Sequence, residues 1–119
     1  MACEKPDNSR YVSIDIGIVN NYKTIKHVKI EDYHKNEVVY NKNISIPTTE
    51  VEVEVEMINV KVWVPDNEVV QPFFMLMIDI TYNDDQTKST FVSEYRFNEG
   101  AILNVYCSPT QGSLTTTYK

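Results

Sequence analysis

Hydrophobic and polar residues alternate with a period of two along most of this chain, and clusters of turn-forming residues break the pattern. In 11–19 (YVSIDIGIV), Val12, Ile14, Ile16 and Ile18 share one face, with Ser13, Asp15 and Gly17 opposite. This alternation predicts a half-buried strand. The turn NNYK follows, then a strand over 25–31 with Val28 and Ile30 inward, the loop EDYHKN, and a strand over 37–46 closed by Pro47. Residues 73–82 (FFMLMIDITY) open on six apolar residues and predict a central strand covered on both faces. After the turn NDDQ, 88–97 alternates with Phe91, Tyr95 and Phe97 on the face assigned to the core and Val92, Glu94 and Arg96 on the other. Strands over 101–107 and 114–118 complete the set, separated by SPTQGS. No segment carries a helical stripe. About eight strands with regular turn signals predict an all-β, antiparallel two-sheet sandwich, immunoglobulin-like or jelly-roll, with a closed β-barrel as the alternative. Residues 1–10 are expected to form a flexible tail and 11–119 a single domain.

Residues 50–64 (EVEVEVEMINVKVWV) need a separate account. Glu50, Glu52, Glu54 and Glu56 lie on one face, and after Met57 the apolar residues Ile58, Val60, Val62 and Val64 take that same parity. A straight strand cannot do this and keep one side buried. At ~3.3 Å per residue it would also span about 50 Å. The expectation is a bulge or bend near Met57–Asn59, where the chain passes between sheets. The glutamate row is then either a solvated face that blocks edge-to-edge association or a cation- or partner-binding surface, with Lys26, Lys29 and Lys35 as neighbours that offset its charge. Trp63, beside a proline loop, is either a core or rim residue or a stacking platform for a sugar or a partner.

The net charge of −6 and a pI near 4.8, with Arg10 and Arg96 the only arginines, argue against a nucleic-acid partner. They also disfavour simple attraction to anionic lipid. The sequence has no apolar signal segment and no long apolar run, so the expected location is the cytoplasm, or the outside by a route without a signal peptide. Cys3 and Cys107 are either free thiols or a pair.

In an antiparallel sandwich successive loops alternate between its ends. One end then gathers EDYHKN, PDNEVVQP and NEG, with Glu31, Asp32, Asp66, Asn67, Glu68, Asn98 and Glu99. Such an oxygen-rich end is the candidate calcium site, Ca²⁺ being the one cofactor the sequence leaves open; the same residue types also simply make good turns. The other end gathers NNYK, PTTE, NDDQ and SPTQGS. His27 and His34 lie seven positions apart across a strand and a loop, and no nucleotide or nucleophile motif is present. A catalytic role is therefore not expected.

Two stretches, SIDIGIVNN (Ser13–Asn21) and VYCSPTQGSLTTTYK (Val105–Lys119), together about a fifth of the chain, resemble the sandwich domain of the calcium-dependent cell-adhesion molecules of social amoebae. The resemblance implies an immunoglobulin-like sandwich acting in adhesion or membrane association. The functional expectation is a non-enzymatic binding or adhesion module for protein or glycan partners, a second copy of the chain included, with calcium assistance. The alternative is a small membrane-active β protein, one component of a pore-forming or toxin-like system.

Overall fold

The computed structural model describes residues 10–48, 56–64, 73–94, 99–108 and 114–119. Eight strands appear in them: β1 (Arg10–Asn20), β2 (Ile25–Asp32), β3 (Glu37–Ile46), β4 (Glu56–Val64), β5 (Phe74–Tyr82), β6 (Thr87–Glu94), β7 (Ile102–Cys107) and β8 (Thr115–Tyr118). They form two four-stranded sheets, ordered β4-β1-β7-β8 (sheet A) and β3-β2-β5-β6 (sheet B). All neighbours are antiparallel except β1 and β7, which run parallel. The molecule is a two-sheet sandwich, and among the described residues there is no closed barrel and no helix.

The inner faces follow from the alternation. Sheet A contributes Ile14, Ile16 and Ile18, the even residues Ile58–Val64, and Leu103, Val105 and Cys107; sheet B contributes Val28, Ile30, the even residues Phe74–Tyr82, and Val92. Burying each such aliphatic side chain is worth roughly 1.5–3 kcal/mol. Branched Ile and Val at these positions also suit the pleat.

Three expectations change. First, β4 keeps one continuous register with β1 through Met57↔Gly17, Ile58↔Ile16 and Asn59↔Asp15, so no bulge interrupts it there. Glu56 carries on the inward parity but is exposed, since it sits at the strand's first position. Second, β5 is internal to its sheet, yet its odd residues are only half-buried: one face meets the core and the other meets solvent. Third, β6 has the opposite parity to that expected. Directly opposed residues on paired strands share a face, and Leu76 faces Val92 while Met77 faces Phe91. Leu76 is buried, so Val92 turns inward and Phe91 is left 46% exposed. Tyr95 and Phe97 lie outside the described residues.

Strand directions place the described turns as expected. The β1–β2 turn and the β5–β6 turn share one end, here called the upper end, and the β2–β3 turn lies at the lower end with the starts of β5 and β7. The β5–β6 turn closes through Asp85 N–H to Tyr82 O (2.9 Å) and Tyr82 N–H to Gln86 O (2.8 Å). Asp85 sits at φ 69°, a left-handed conformation that Asp tolerates.

Candidate functional site

A buried polar residue at each end ties the two sheets together. At the upper end Asn20, the last residue of β1, donates from Nδ2 to the carbonyls of Lys23 (2.7 Å) and Ile46 (3.1 Å). Its Oδ1 accepts the Tyr22 N–H (3.1 Å). At the lower end Asp32, the last residue of β2, is wholly buried. One carboxylate oxygen accepts the His34 N–H (3.1 Å) and the other the Trp63 N–H (2.8 Å). β4 is an edge strand, so half of its N–H groups point away from β1. Asp32 satisfies one of them from the opposite sheet.

Asp32 is thus occupied as a link between sheets. Its neighbour Glu31 points the other way, onto the outer face of sheet B, where Lys29 pairs with it at 3.1 Å. Glu99 is exposed in the turn before β7. Asp66, Asn67, Glu68 and Asn98 lie outside the described residues. Among the described residues no group of three or more His, Cys, Asp or Glu side chains stands together as a metal site.

The partner-binding candidates are also placed. Glu50, Glu52 and Glu54 lie outside the described residues. Glu56 is close enough to Tyr40 that its charge adds to burial in raising the Tyr40 hydroxyl above the usual range. Lys26 pairs with Asp85, Lys29 with Glu31, and Lys35 lies over Trp63, so each of these lysines already has its own partner. Trp63 is half-buried: Lys35 Nζ stands 4.7 Å from its ring centroid, and the His34 ring packs edge-on at 5.1 Å. His34 also meets Phe73 at 4.7 Å. The His34 Nε2 and Trp63 Nε1 atoms are buried without a hydrogen-bond partner among the described residues. Burial lowers the His34 pKa below 6.5, the Asp32 charge opposing it.

Residues that the sequence did not bring together meet on the outer face of sheet B. Strand register divides that face into rows. The two upper rows are polar. Asn43, His27, Thr81 and Thr87 form one, with the His27 ring nitrogens 2.7 and 2.6 Å from the Asn43 and Asn41 amide oxygens. Asn41, Lys29, Asp79 and Ser89 form the next, in which the Ser89 hydroxyl donates to Asp79. Below them the face turns apolar. Val38, Glu31, Met77 and Phe91 lie side by side across all four strands. Tyr33 continues the strip: its N–H bonds Met75 O at 2.9 Å, and its ring meets Phe91 edge-on at 5.1 Å. Val38, Tyr33 and Phe91 are 51%, 56% and 46% exposed. Single exposed apolar residues are ordinary on any surface; three in one cross-strand row, with Glu31 as its β2 member and Tyr33 beside it, are not.

The remaining nucleophile is buried. Cys107 is a free thiol within the core, with the Tyr82 hydroxyl beside it; burial raises the pKa of both. Cys3 lies outside the described residues. A shallow hollow of about 300 Å³ on the upper part of sheet B, lined by Ile25, Lys26, Asn43, Ile44, Ser45 and Asn83, is open to solvent. No described helix is long and apolar enough to cross a membrane.

No protein-family model, curated protein or solved structure matches the chain.

Proposed function

We propose that this chain works by binding, as a non-enzymatic recognition or adhesion module, and that its partner is a protein carrying an apolar surface, docked on the lower outer face of sheet B. The observation that carries the reading is the outer-face strip formed by Val38, Met77 and Phe91 on β3, β5 and β6, with Tyr33 just past β2; Glu31 holds the β2 place in the row. Aromatic side chains anchor interfaces at low entropic cost, and flexible methionines such as Met75 and Met77 adapt to the partner's shape. The polar rows above the strip supply the rim that such interfaces carry, and Glu31, paired with Lys29, sets one charged group within the strip itself. The buried reactive groups support binding over catalysis: the Asp32 carboxylate is held by two backbone N–H groups, and the Cys107 thiol is kept protonated by its surroundings. A glycan stacked on the exposed Tyr33 ring is the other occupant the strip suits, and a lipid surface is a third.

Selection from a displayed peptide library, a glycan array and liposome sedimentation separate these three. Ligands chosen by the unmodified chain should lose binding at least tenfold with Tyr33→Ser plus Met77→Ser. Peptide ligands indifferent to that double change would end the reading. Pelleting with vesicles, lost in the same variant, would replace it with membrane association.

A further inference from the structure

A sandwich has four edge strands, and natural proteins blunt such edges because unpaired N–H and C=O groups invite another strand. Three of the four are blunted here. β3 carries register shifts opposite Ile25/His27 and Ile30/Glu31, which kink its ladder. β4 has an outward N–H, that of Trp63, taken by Asp32. β8 has four residues, too few to pair well. β6 differs from all three. It runs eight residues, TKSTFVSE, contains no glycine or proline, and holds one register with β5 from end to end.

The outward groups of β6 can be assigned. Tyr82 N–H bonds Gln86 O, which makes that pair a narrow one. In an antiparallel ladder narrow and wide pairs alternate. Lys88, Thr90, Val92 and Glu94 therefore exchange bonds with β5, while Ser89, Phe91 and Ser93 turn their N–H and C=O groups to the open edge. Among the described residues nothing pairs with them.

We propose that β6 pairs antiparallel with β6 of a second copy about a two-fold axis at Phe91, joining two B sheets into one eight-stranded sheet. In this register Ser89 meets Ser93 of the second copy, and Phe91 meets its own counterpart. These are the residues whose backbone groups face outward, so every new bond uses a free donor and acceptor. Lys88 falls opposite Glu94 of the second copy, twice by symmetry. That charge match selects the register, since Lys88 and Glu94 are equally spaced from Phe91 and have opposite sign. Glu94 is half-buried and has no ion pair among the described residues, and Lys88 lies over the Tyr22 ring at 4.4 Å. Two Phe91 rings then lie side by side on the outer face, a favourable cross-strand pair. They join the two apolar strips into one surface. The interface is isologous, so it closes at two copies.

The pairing goes beyond the binding reading and is tested on the chain alone, so either can fail without the other. Edge pairing buries little area, so the dimer is weak. Sedimentation equilibrium from roughly 10 µM to 1 mM should show mass rising toward the dimer. Lys88→Glu and Glu94→Lys should each weaken association about tenfold or more, and the double exchange should restore it to within about threefold. Phe91→Cys in a Cys3→Ser background should form an intermolecular disulfide on mild oxidation, because opposed Cα atoms in a narrow pair lie within disulfide range. A chain that stays monomeric across the whole range overturns the proposal. So does a dimer indifferent to both single exchanges, or a folded double exchange that stays monomeric.

Discussion

Asn20 and Asp32 occupy equivalent places, each the last residue of a strand at one end of the sandwich, and they hold the sheets together in opposite ways. Asn20 mainly donates: its amide N–H₂ reaches carbonyls left over where β3 ends and within the β1–β2 turn. Asp32 only accepts: its two oxygens collect N–H groups from the β2–β3 turn and from the edge of β4. The difference matches what each end leaves unpaired. At the upper end the surplus groups are carbonyls, so an amide fits. At the lower end they are N–H groups, so a carboxylate fits. The surroundings differ as well. The upper end is dressed with exposed ion pairs, Lys23–Asp84 and Lys26–Asp85. The lower end is packed with rings: Trp63, His34 and Phe73 on one side, Tyr33 and Phe91 on the other.

Exchanging the two chemistries breaks the comparison most directly. Asp32→Ala leaves two part-buried N–H groups without acceptors and should cost about 3 kcal/mol, read as a urea midpoint lower by about 1 M or more. Asn20→Asp sets a carboxylate against two carbonyl oxygens and should cost about 2 kcal/mol at neutral pH. That cost should shrink in acid, where the protonated carboxyl regains one donor. Asp32→Asn keeps one acceptor and should cost about 1 kcal/mol. If Asn20→Asp proves harmless while Asp32→Asn is severe, the donor–acceptor account of the two ends is wrong.

Acidity sharpens the lower end further. Burial holds the folded His34 pKa below the 6.5 of an exposed histidine, so the unfolded chain takes up its proton first. Stability should therefore fall as pH drops through about 6.5 and level off once the folded form is protonated too. Thermal melts across that range, with His34→Leu as the variant that flattens the slope, check this. The smallest effect belongs to the upper ion pairs. Lys23 and Asp84 are solvent-exposed, and Lys23→Ala should leave the melting temperature within error in moderate salt.

The strands were legible because two-residue alternation is local: the run over 37–46 matches β3 to the residue, and the even parity of Ile58–Val64 reads directly as core. The β6 parity was misread, because the alternation over 88–97 collects aromatics on one face, whereas this edge strand takes its facing from β5 and buries Val92. Asp32 read as a loop carboxylate suited to calcium. Nothing in IEDY tells that the second acid turns inward to meet an N–H from residue 63. Trp63 read as either a core or rim residue or a platform, because the lysine and histidine that flank it come from a different sheet. The apolar strip was hidden for the same reason: Val38, Met77, Phe91 and Tyr33 are single apolar residues in four separate segments, and only cross-strand register makes them neighbours.

The parallel contact between β1 and β7 also bears on how the chain is made. Every strand of sheet B lies between residues 25 and 94, whereas β1 waits in the middle of sheet A for a strand that begins at Ile102. On a ribosome, the earlier sheet can assemble while the first strand still lacks one of its two flanks, with Ile14, Ile16 and Ile18 only half covered. Such long-range closure is slow and leaves apolar surface open to aggregation in the meantime. The growing chain is thus most in need of a chaperone in the interval before β7 emerges.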